Sequence, residues 1–219
     1  MDRKLNRKER EKLARREAII DAALEIISEK GFEGVTMDDL AEKAELGKGT
    51  LYLHFKSKTS IYLAICERGS TLLNQQMAKV LAMDLPGLKM VEELGQTYLE
   101  FIQAQPIYFI AFSYYENIID QEIIEESEIA VRCEENAQQA MTYIVRALQI
   151  GMQDGSIKDD YDPKELGLII WGASKGVMHV AFLKQKKHHM KVLDEVDFSL
   201  KSLVNGFIRL IGSGMKKTD

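Results

Sequence analysis

Two lysines stand where a phosphate could be bound, within the stretch TMDDLAEKAELGKGTLYLHFKSK at residues 36–58. Lys48 follows Gly47 at the predicted start of one short helix, and Lys58 follows Ser57 at the predicted start of the next. A helix N-terminus carries partial positive charge, so an exposed cation there is unfavourable by about 0.3 to 1 kcal/mol. A phosphate reverses this preference, because free backbone N–H groups and the lysine bind it together. The spacing therefore predicts phosphate contacts at both lysines.

The residues between these lysines form a short helix with one apolar side. At about 100° per residue, Leu51 and Phe55 lie together on the side that we expect to be buried. The other side and its flanks carry residue types that suit DNA. Glycine permits a close approach, short hydroxyl and imidazole groups donate to phosphates or base edges, and an exposed leucine can pack on a thymine methyl group. These residues are Gly49, Thr50, Tyr52, Leu53 and His54.

A preceding short helix and a tight turn position this segment. Thr36 and Asp39 have the spacing of a helix cap and its capping-box acid, and apolar residues then recur at helical spacing as far as Ala44. Residues 45–47 form a three-residue turn. Two helices joined by so short a turn are typical of a helix-turn-helix, whose second helix enters the DNA major groove.

Residues 31–61, GFEGVTMDDLAEKAELGKGTLYLHFKSKTSI, resemble the DNA-binding signature of TetR-type transcriptional regulators. The matching positions are Thr36, Asp39, Leu40, Ala41, Ala44, Gly47, Gly49, Thr50, Leu51, Tyr52, His54, Phe55 and Lys58. The resemblance implies an all-α homodimer with three N-terminal helices for DNA and a larger domain that senses a small molecule. It also implies DNA contacts by Thr36, Lys48, Gly49, Thr50, Tyr52, His54 and Lys58.

Three of the implied contacts have a purely structural alternative. Tyr52 could edge the core of the small domain, His54 could be a surface residue that closes the helix, and Lys58 could simply be solvated. By the same resemblance, the basic residues before Arg16 could reach flanking phosphates or a minor groove. Beyond residue 61 the likeness covers only helix number and length and a helix start at Asp162-Pro163, so it implies no particular ligand.

The charge distribution also indicates contact with a polyanion. The net charge is −5, yet residues 1–16 hold eight Lys or Arg against three Asp or Glu. Residues 1–60 have a net charge of +1, which leaves −6 for the rest of the chain. A basic arm on an acidic body is typical of local nucleic-acid binding, and a solvated, frayed terminus is the alternative.

The remaining composition argues against disulfides, metals and membranes. Cys66 and Cys133 are far apart in sequence and belong to no Cys/His cluster, so neither a disulfide framework nor a zinc site is indicated. His188 and His189 point about 100° apart on a helix, which suits joint metal ligation poorly. The longest apolar run, residues 106–115, is shorter than the ~20 residues of a membrane span. We predict a soluble cytoplasmic protein without a metal or cofactor.

Helical spacing dominates the whole chain and no strand alternation is evident, which predicts an all-α fold. We divide the chain into a helix-turn-helix DNA-binding domain, residues 1–57, and a helical effector-binding and dimerisation domain, residues 58–219. The first helix is expected at about residues 8–30. Beyond Ser57, a predicted N-cap, helices are expected at about 58–83, 87–104, 106–117, 120–153, 163–187 and 195–212, with joints at Asp and Pro or Gly breakers.

The last two predicted helices are candidates for a dimer interface. Residues 163–187 are apolar nearly all round through their middle, and a helix of that kind must be covered on two sides. Together with residues 195–212 they predict a four-helix interface, two helices from each chain, and burial within one large monomer is the alternative. The expected interface residues are Ile169, Gly172, Ala173, Gly176, Val177, Leu203, Phe207 and Leu210.

Aromatic and methionine residues are dense in the middle of the chain. Such residues would suit a largely apolar ligand held by a few polar groups, although an ordinary core explains most of them equally well. The candidate ligand-binding residues are Phe101, Phe112, Met141, Trp171 and Met178, with Lys175 and His179 as polar candidates.

These patterns predict a ligand-responsive DNA-binding regulator, namely a repressor released from a near-palindromic operator by a small, largely apolar effector. A DNA-binding regulator or structural protein without an effector is the alternative. An enzyme is not indicated, because the sequence has no glycine-rich phosphate loop, no Gly-x-Ser-x-Gly elbow and no HExxH motif. The expected partners are double-stranded operator DNA, the effector and a second copy of the chain, with no membrane.

Overall fold

The computed structural model describes residues 6–118, 127–185 and 191–217, and most of that part of the chain is helical. Among the described residues, extended backbone pairs only at a single bridge between Ile157 and Lys216. The predicted all-α class is therefore confirmed. The helices are α1 (Arg7–Lys30), α2 (Met37–Lys43), α3 (Lys48–His54), α4 (Lys58–Leu81), α5 (Gly87–Ala104), α6 (Pro106–Ile118), α7 (Glu128–Asp154), α8 (Pro163–Gln185), α9 (Lys191–Asp194) and α10 (Leu200–Met215).

Side-chain caps explain where three of the N-terminal helices begin. Asn6 caps α1, because its side chain accepts from the Glu9 N–H while the Glu9 carboxylate accepts from the Asn6 N–H. Thr36 and Asp39 form the same reciprocal pair at α2. Ser57 accepts a hydrogen bond from the first turn of α4. The caps at Thr36 and Ser57 confirm the sequence prediction, whereas the Asn6 cap was not predicted.

Asp39 also ties α2 to α1. One of its carboxylate oxygens lies 2.5 Å from Nζ of Lys30, and the other accepts from the Thr36 N–H at 2.8 Å. The ammonium of Lys30, followed by the two Thr36 donors, holds the pKa of Asp39 well below its usual value. The charged carboxylate therefore fastens the start of α2 to the end of α1.

This depressed pKa predicts a loss of stability in acid. The unfolded chain binds the Asp39 proton more tightly than the folded chain does, so the carboxylate's contribution is complete above the usual pKa of 3.8. That contribution to stability is lost as the pH falls through the lower pKa that Asp39 has in the folded chain. We expect wild type to be more stable than Asp39→Asn at about pH 7, and the difference in unfolding free energy to shrink towards about pH 2. Urea unfolding at both pH values measures it, and a difference independent of pH would contradict the assignment.

The described chain forms two compact units. Unit 1 comprises Met1–Thr71 and Gln105–Glu134, and unit 2 comprises Leu72–Ala104 and Glu135–Asp219. Both α4 and α7 contribute residues to each unit. The division of the chain at residues 57 and 58 concerns the DNA-binding function and stays a prediction.

In unit 2 the start of α5 lies against the end of α7. The Gly87 N–H donates to Asp154 at 2.7 Å and the Leu88 N–H donates to Ser156 at 3.0 Å, so two free donors of the first turn are satisfied. Burial alone would raise the pKa of Asp154, but hydrogen bonds from Ser156 and Gly87 outweigh it and lower that pKa. The backbones meet so closely that a Cβ atom on Gly87 would lie 2.0 Å from the Gly151 nitrogen. Helix α10 packs on α5 and on α8.

The last long helix does not have its predicted bounds. It runs over Leu200–Met215 rather than 195–212. The physical reason lies in a reciprocal cap: Ser199 accepts from the Ser202 N–H, while the Ser202 hydroxyl accepts from the Ser199 N–H. Phe198 therefore precedes the helix instead of belonging to it.

Other predicted bounds differ by less or extend past the described residues. Helix α4 ends at residue 81 rather than 83. Residues 120–126 of the predicted helix 120–153 lie outside the described residues, and α7 begins at residue 128. Helix α8 is described to residue 185 of the predicted 187, and His188 and His189 also lie outside the described residues.

Helix α8 carries much apolar surface. Within the described ranges it is the one helix, at residues 163–184, that is long and apolar enough to cross a membrane by length and composition. Only 22% of the most apolar stretch of this helix is buried in the structure. A helix of this composition suits a contact with another protein helix equally well.

Candidate nucleic-acid interface

Helix α3 has one buried and one exposed side, as its spacing predicts. Leu51 is fully buried, and Phe55, which follows the helix, is 1% exposed. On the other side Tyr52 is 44% exposed and Leu53 is 76% exposed. A Cβ atom on Gly49 would meet nothing within 4 Å. The helix therefore offers an exposed surface of the kind that enters a DNA major groove.

Lys48 has a partner, which corrects the expectation of an unbalanced cation at the start of α3. Its Nζ lies 2.7 Å from an Asp38 carboxylate oxygen, and this hydrogen bond raises the pKa of Lys48. Both side chains are largely exposed, and exposed ion pairs contribute little to stability. A phosphate at this helix start can therefore compete with Asp38 for the lysine.

Lys58 is held by a backbone carbonyl at the start of α4. Its Nζ donates to the Phe32 carbonyl oxygen at 3.3 Å and lies 5.6 Å from the centre of the Tyr62 ring. The Tyr62 hydroxyl donates to the same carbonyl. The Tyr62 ring also packs against the rings of Phe32 and Tyr114, at centroid distances of 4.4 and 5.0 Å. An ammonium group has three donors, so this arrangement positions Lys58 with donors left for a phosphate.

Thr36 and Thr50 differ in how free they are to contact DNA. The Thr36 hydroxyl donates to the Asp39 carboxylate at 2.5 Å and accepts from the Asp39 N–H at 3.1 Å. A DNA contact by Thr36 would therefore have to share this hydroxyl with the cap of α2. Thr50 is half-buried beside the exposed side of α3.

His54 lies where the basic part of α1 borders the end of α3. Burial lowers the pKa of its imidazole, and the charges of Lys12 and Arg15 lower it further. Three basic groups from two helices therefore meet there. This placement is consistent with the predicted role of the basic arm at flanking phosphates.

A network of charged side chains supports α1 and the end of α3, and no local pattern in the sequence indicates it. Arg16 on α1 lies over the Phe55 ring, 5.6 Å from its centre, and its guanidinium is 2.8 Å from one oxygen of Glu67 on α4. The other Glu67 oxygen accepts from Arg132 on α7. Glu67 is separated from Arg16 by 51 residues and from Arg132 by 65, so no local spacing could have revealed the network.

The candidate ligand-binding residues are not gathered at one described site. Phe101 and Met178 are buried, and Phe112 is half-buried. Trp171 is 43% exposed, with Nζ of Lys175 4.7 Å from the centre of its ring, and His179 is exposed. Met141 lines a groove between α7 and α8. Their ligand-binding role stays a prediction.

The candidate dimer residues lie mainly on uncovered surface of α8 and α10. Ile169 is 60% exposed and Leu210 is 69% exposed, and Gly172 and Gly176 are also exposed. The other four are half-buried, namely Ala173, Val177, Leu203 and Phe207. Their contact with a second chain stays a prediction.

Comparison with known proteins bears on the helix-turn-helix segment first. Residues 19–65 match the family model described as bacterial regulatory proteins of the tetR family. Over 47 residues the chain is 49% identical to the biofilm operon icaADBC HTH-type negative transcriptional regulator IcaR of Staphylococcus aureus (strain Newman). The resemblance to TetR-family transcriptional regulators is therefore confirmed over this segment. The match to IcaR covers 22% of this chain and 25% of the length of IcaR.

Solved structures extend the likeness from this segment to the fold of the whole chain. The transcriptional regulator FadR from Bacillus subtilis, in complex with stearoyl-CoA, aligns with a TM-score of 0.67 at 20% identity, over 90% of this chain and 98% of FadR. AibR, in complex with isovaleryl coenzyme A and operator DNA, aligns with a TM-score of 0.63 at 16% identity, over 90% of this chain and 97% of AibR. At these identities the likeness shows the fold alone, with an N-terminal helix-turn-helix domain and a C-terminal helical domain.

Proposed function

We propose that this chain is a transcriptional repressor that binds a near-palindromic operator as a homodimer and is released from it by a small, largely apolar effector. The observation that carries the proposal is α3, whose outward side exposes Gly49, Tyr52 and Leu53 between two positioned lysines. In a helix-turn-helix such a second helix enters the major groove. IcaR, which shares this segment, is a negative regulator, and this supports the proposed sign of regulation.

In this proposal the lysines fix the position of the protein and the helix surface reads the sequence. Phosphates bind Lys48 and Lys58 together with the free N–H groups at the starts of α3 and α4. Thr50, Tyr52 and Leu53 face base edges and give preference among sequences. The basic start of α1 reaches flanking phosphates.

A twofold dimer supplies the second DNA-reading helix. Ile169, Trp171 and Leu210 leave large apolar side chains uncovered on α8 and α10. Exposed apolar surface of this kind marks interaction sites on soluble proteins. Pairing α8 and α10 with their copies forms a four-helix interface. The two helix-turn-helix units, about 34 to 36 Å apart, then read half-sites that lie one DNA turn apart. A protein with this function acts in the cytoplasm.

The effector acts by preferring the arrangement of the dimer that does not fit the operator. Helices α4 and α7 each contribute residues to both units, so a ligand in unit 2 contacts helices that continue into unit 1. FadR and AibR, solved with stearoyl-CoA and isovaleryl coenzyme A, support a small-molecule ligand for this fold. The coupling is expected at ~1 to 3 kcal/mol and is reciprocal, so the operator should weaken effector binding equally.

Selection from a random duplex library at low ionic strength tests the DNA-binding proposal. We expect a near-palindromic site to be enriched and its affinity to fall steeply with salt. Lys58→Ala should weaken binding to all sequences and reduce the slope of log affinity against log salt by about one. Lys48→Ala should have the same effect, whereas Thr50→Ala and Leu53→Ala should change the preference between bases, by about 1 to 3 kcal/mol at the contacted position.

Lys79→Ala is the matched control, because Lys79 is an exposed lysine near the other end of the helix that Lys58 begins. It should leave both affinity and salt slope unchanged. Enrichment of no site, together with affinity that does not respond to salt, would refute the proposal. A uniform loss across all sequences for the Thr50 and Leu53 variants would reassign those two residues to the DNA backbone.

A further inference from the structure

A groove of about 540 Å³ lies between α7 and α8 in unit 2. This volume falls within the ~300 to 1,000 Å³ of small-molecule sites. Five side chains of α7 line it, together with Lys164 and Leu168 of α8. The two helices meet closely beside it, since a Cβ atom on Gly167 would lie 3.3 Å both from Sδ of Met141 and from a methyl carbon of Val145. The groove therefore has walls fixed by helix packing.

The groove is apolar along part of its lining. Met141, Val145 and Leu168 supply hydrocarbon surface from both helices. Leu168 remains 55% exposed, although burial of a leucine side chain away from water is favourable. An alkyl chain in the groove would cover these three side chains.

Two cations at the same groove have no carboxylate partner in the described part of the chain. Arg146 of α7 and Lys164 of α8 are exposed, and neither forms an ion pair with any residue that the structure describes. No lining residue is acidic. Some other exposed lysines of this acidic chain do have an acidic partner, as Lys89 has Glu92 at 2.5 Å. Arg146 and Lys164 are therefore placed to bind an anion from outside the chain.

We propose that this groove binds an amphipathic anion, a molecule with an alkyl chain and a phosphate or carboxylate head. The chain packs on the apolar lining while Arg146 and Lys164 share the head, and the planar guanidinium can bind two head oxygens at once. This anion is the effector of the regulator, an assignment that rests on the proposed function. The alternative occupant is a second copy of the chain, because α8 also carries the proposed dimer surface.

Calorimetric titration with octyl phosphate and with octan-1-ol tests the site, since the two probes share a chain and differ in charge. Wild type should bind octyl phosphate at least about tenfold more tightly than octan-1-ol. Changing Arg146→Gln and Lys164→Gln together should abolish that preference. Lys201→Gln, which removes an exposed cation of α10 outside the groove, should keep it. Equal binding of both probes by wild type, or equal loss in the Lys201 variant, would overturn the proposal.

Leu168→Glu is a second variant that leaves both cations in place. It adds a carboxylate to the groove and should weaken octyl phosphate binding while circular dichroism remains that of wild type. Sedimentation provides the test against a second copy. If wild type sediments as a dimer and the variant with both Arg146 and Lys164 changed sediments as a monomer, the groove is part of the subunit contact and the proposed site is wrong.

Operator binding separates this inference from the proposed function. Octyl phosphate should weaken operator binding by wild type but not by the Arg146 and Lys164 variant, which should bind the operator normally without the probe. If the probe binds the groove and operator affinity does not change, the assignment of the anion as effector is wrong. If wild type binds no operator at all, it is the proposed function that fails.

Discussion

Gly87→Ala is expected to lower the free energy of unfolding by about 3 kcal/mol, because the new methyl group has no space. Its Cβ atom would lie 2.0 Å from the nitrogen and 2.3 Å from the Cα atom of Gly151, and 2.6 Å from the carbonyl oxygen of Ala147. All three are backbone atoms, which cannot move aside as the end of a flexible side chain can. The start of α5 must therefore shift away from α7. That shift also lengthens the hydrogen bonds from Gly87 to Asp154 and from Leu88 to Ser156.

Urea unfolding of the variant and wild type measures this loss. Gly214→Ala is the matched control, because a Cβ atom there would meet nothing within 4 Å and the residue is exposed in the last turn of α10. The free energy of unfolding of Gly214→Ala should equal that of wild type or exceed it by up to about 1 kcal/mol, because alanine has the higher helix propensity. Equal stability of Gly87→Ala and wild type would show that α5 and α7 do not meet at this glycine pair.

Glu67→Gln is expected to destabilise the protein by about 2 to 4 kcal/mol, because it leaves two guanidinium groups without their shared carboxylate. Only 17% of the Glu67 side chain is exposed, and each of its oxygens binds a different arginine. Arg16 also packs on Phe55 at the end of α3. We therefore expect operator affinity to fall as well, in proportion to how far the end of α3 loses its support.

Glu128→Gln provides the control for the same chemistry at the surface. Glu128 is 94% exposed and lies 4.0 Å from the guanidinium of Arg132, the arginine that Glu67 also binds. An exposed pair of this kind should contribute less than about 0.5 kcal/mol. Unfolding free energies and operator affinities of both variants distinguish the cases. Similar small effects for Glu67→Gln and Glu128→Gln would mean that the Glu67 network does not support unit 1.

The sequence alone determined the all-α class, the helix-turn-helix and the two sides of α3. These features follow from rules that act over a few residues, namely the helical repeat that puts Leu51 with Phe55 and the reciprocal cap of Thr36 with Asp39. The bounds of α10 were wrong, because Ser199 and Ser202 were not recognised as its cap.

Tertiary structure decided which groups meet across long separations in the chain. The sequence marks Lys48 as a cation at a helix start, but its pairing with Asp38 depends on how the turn folds back. The Glu67 network and the contact of Gly87 with Gly151 join residues more than fifty positions apart. The same holds for the groove where Arg146 and Lys164 meet apolar side chains. Such contacts depend on how whole helices pack, and no local spacing of residue types encodes that packing.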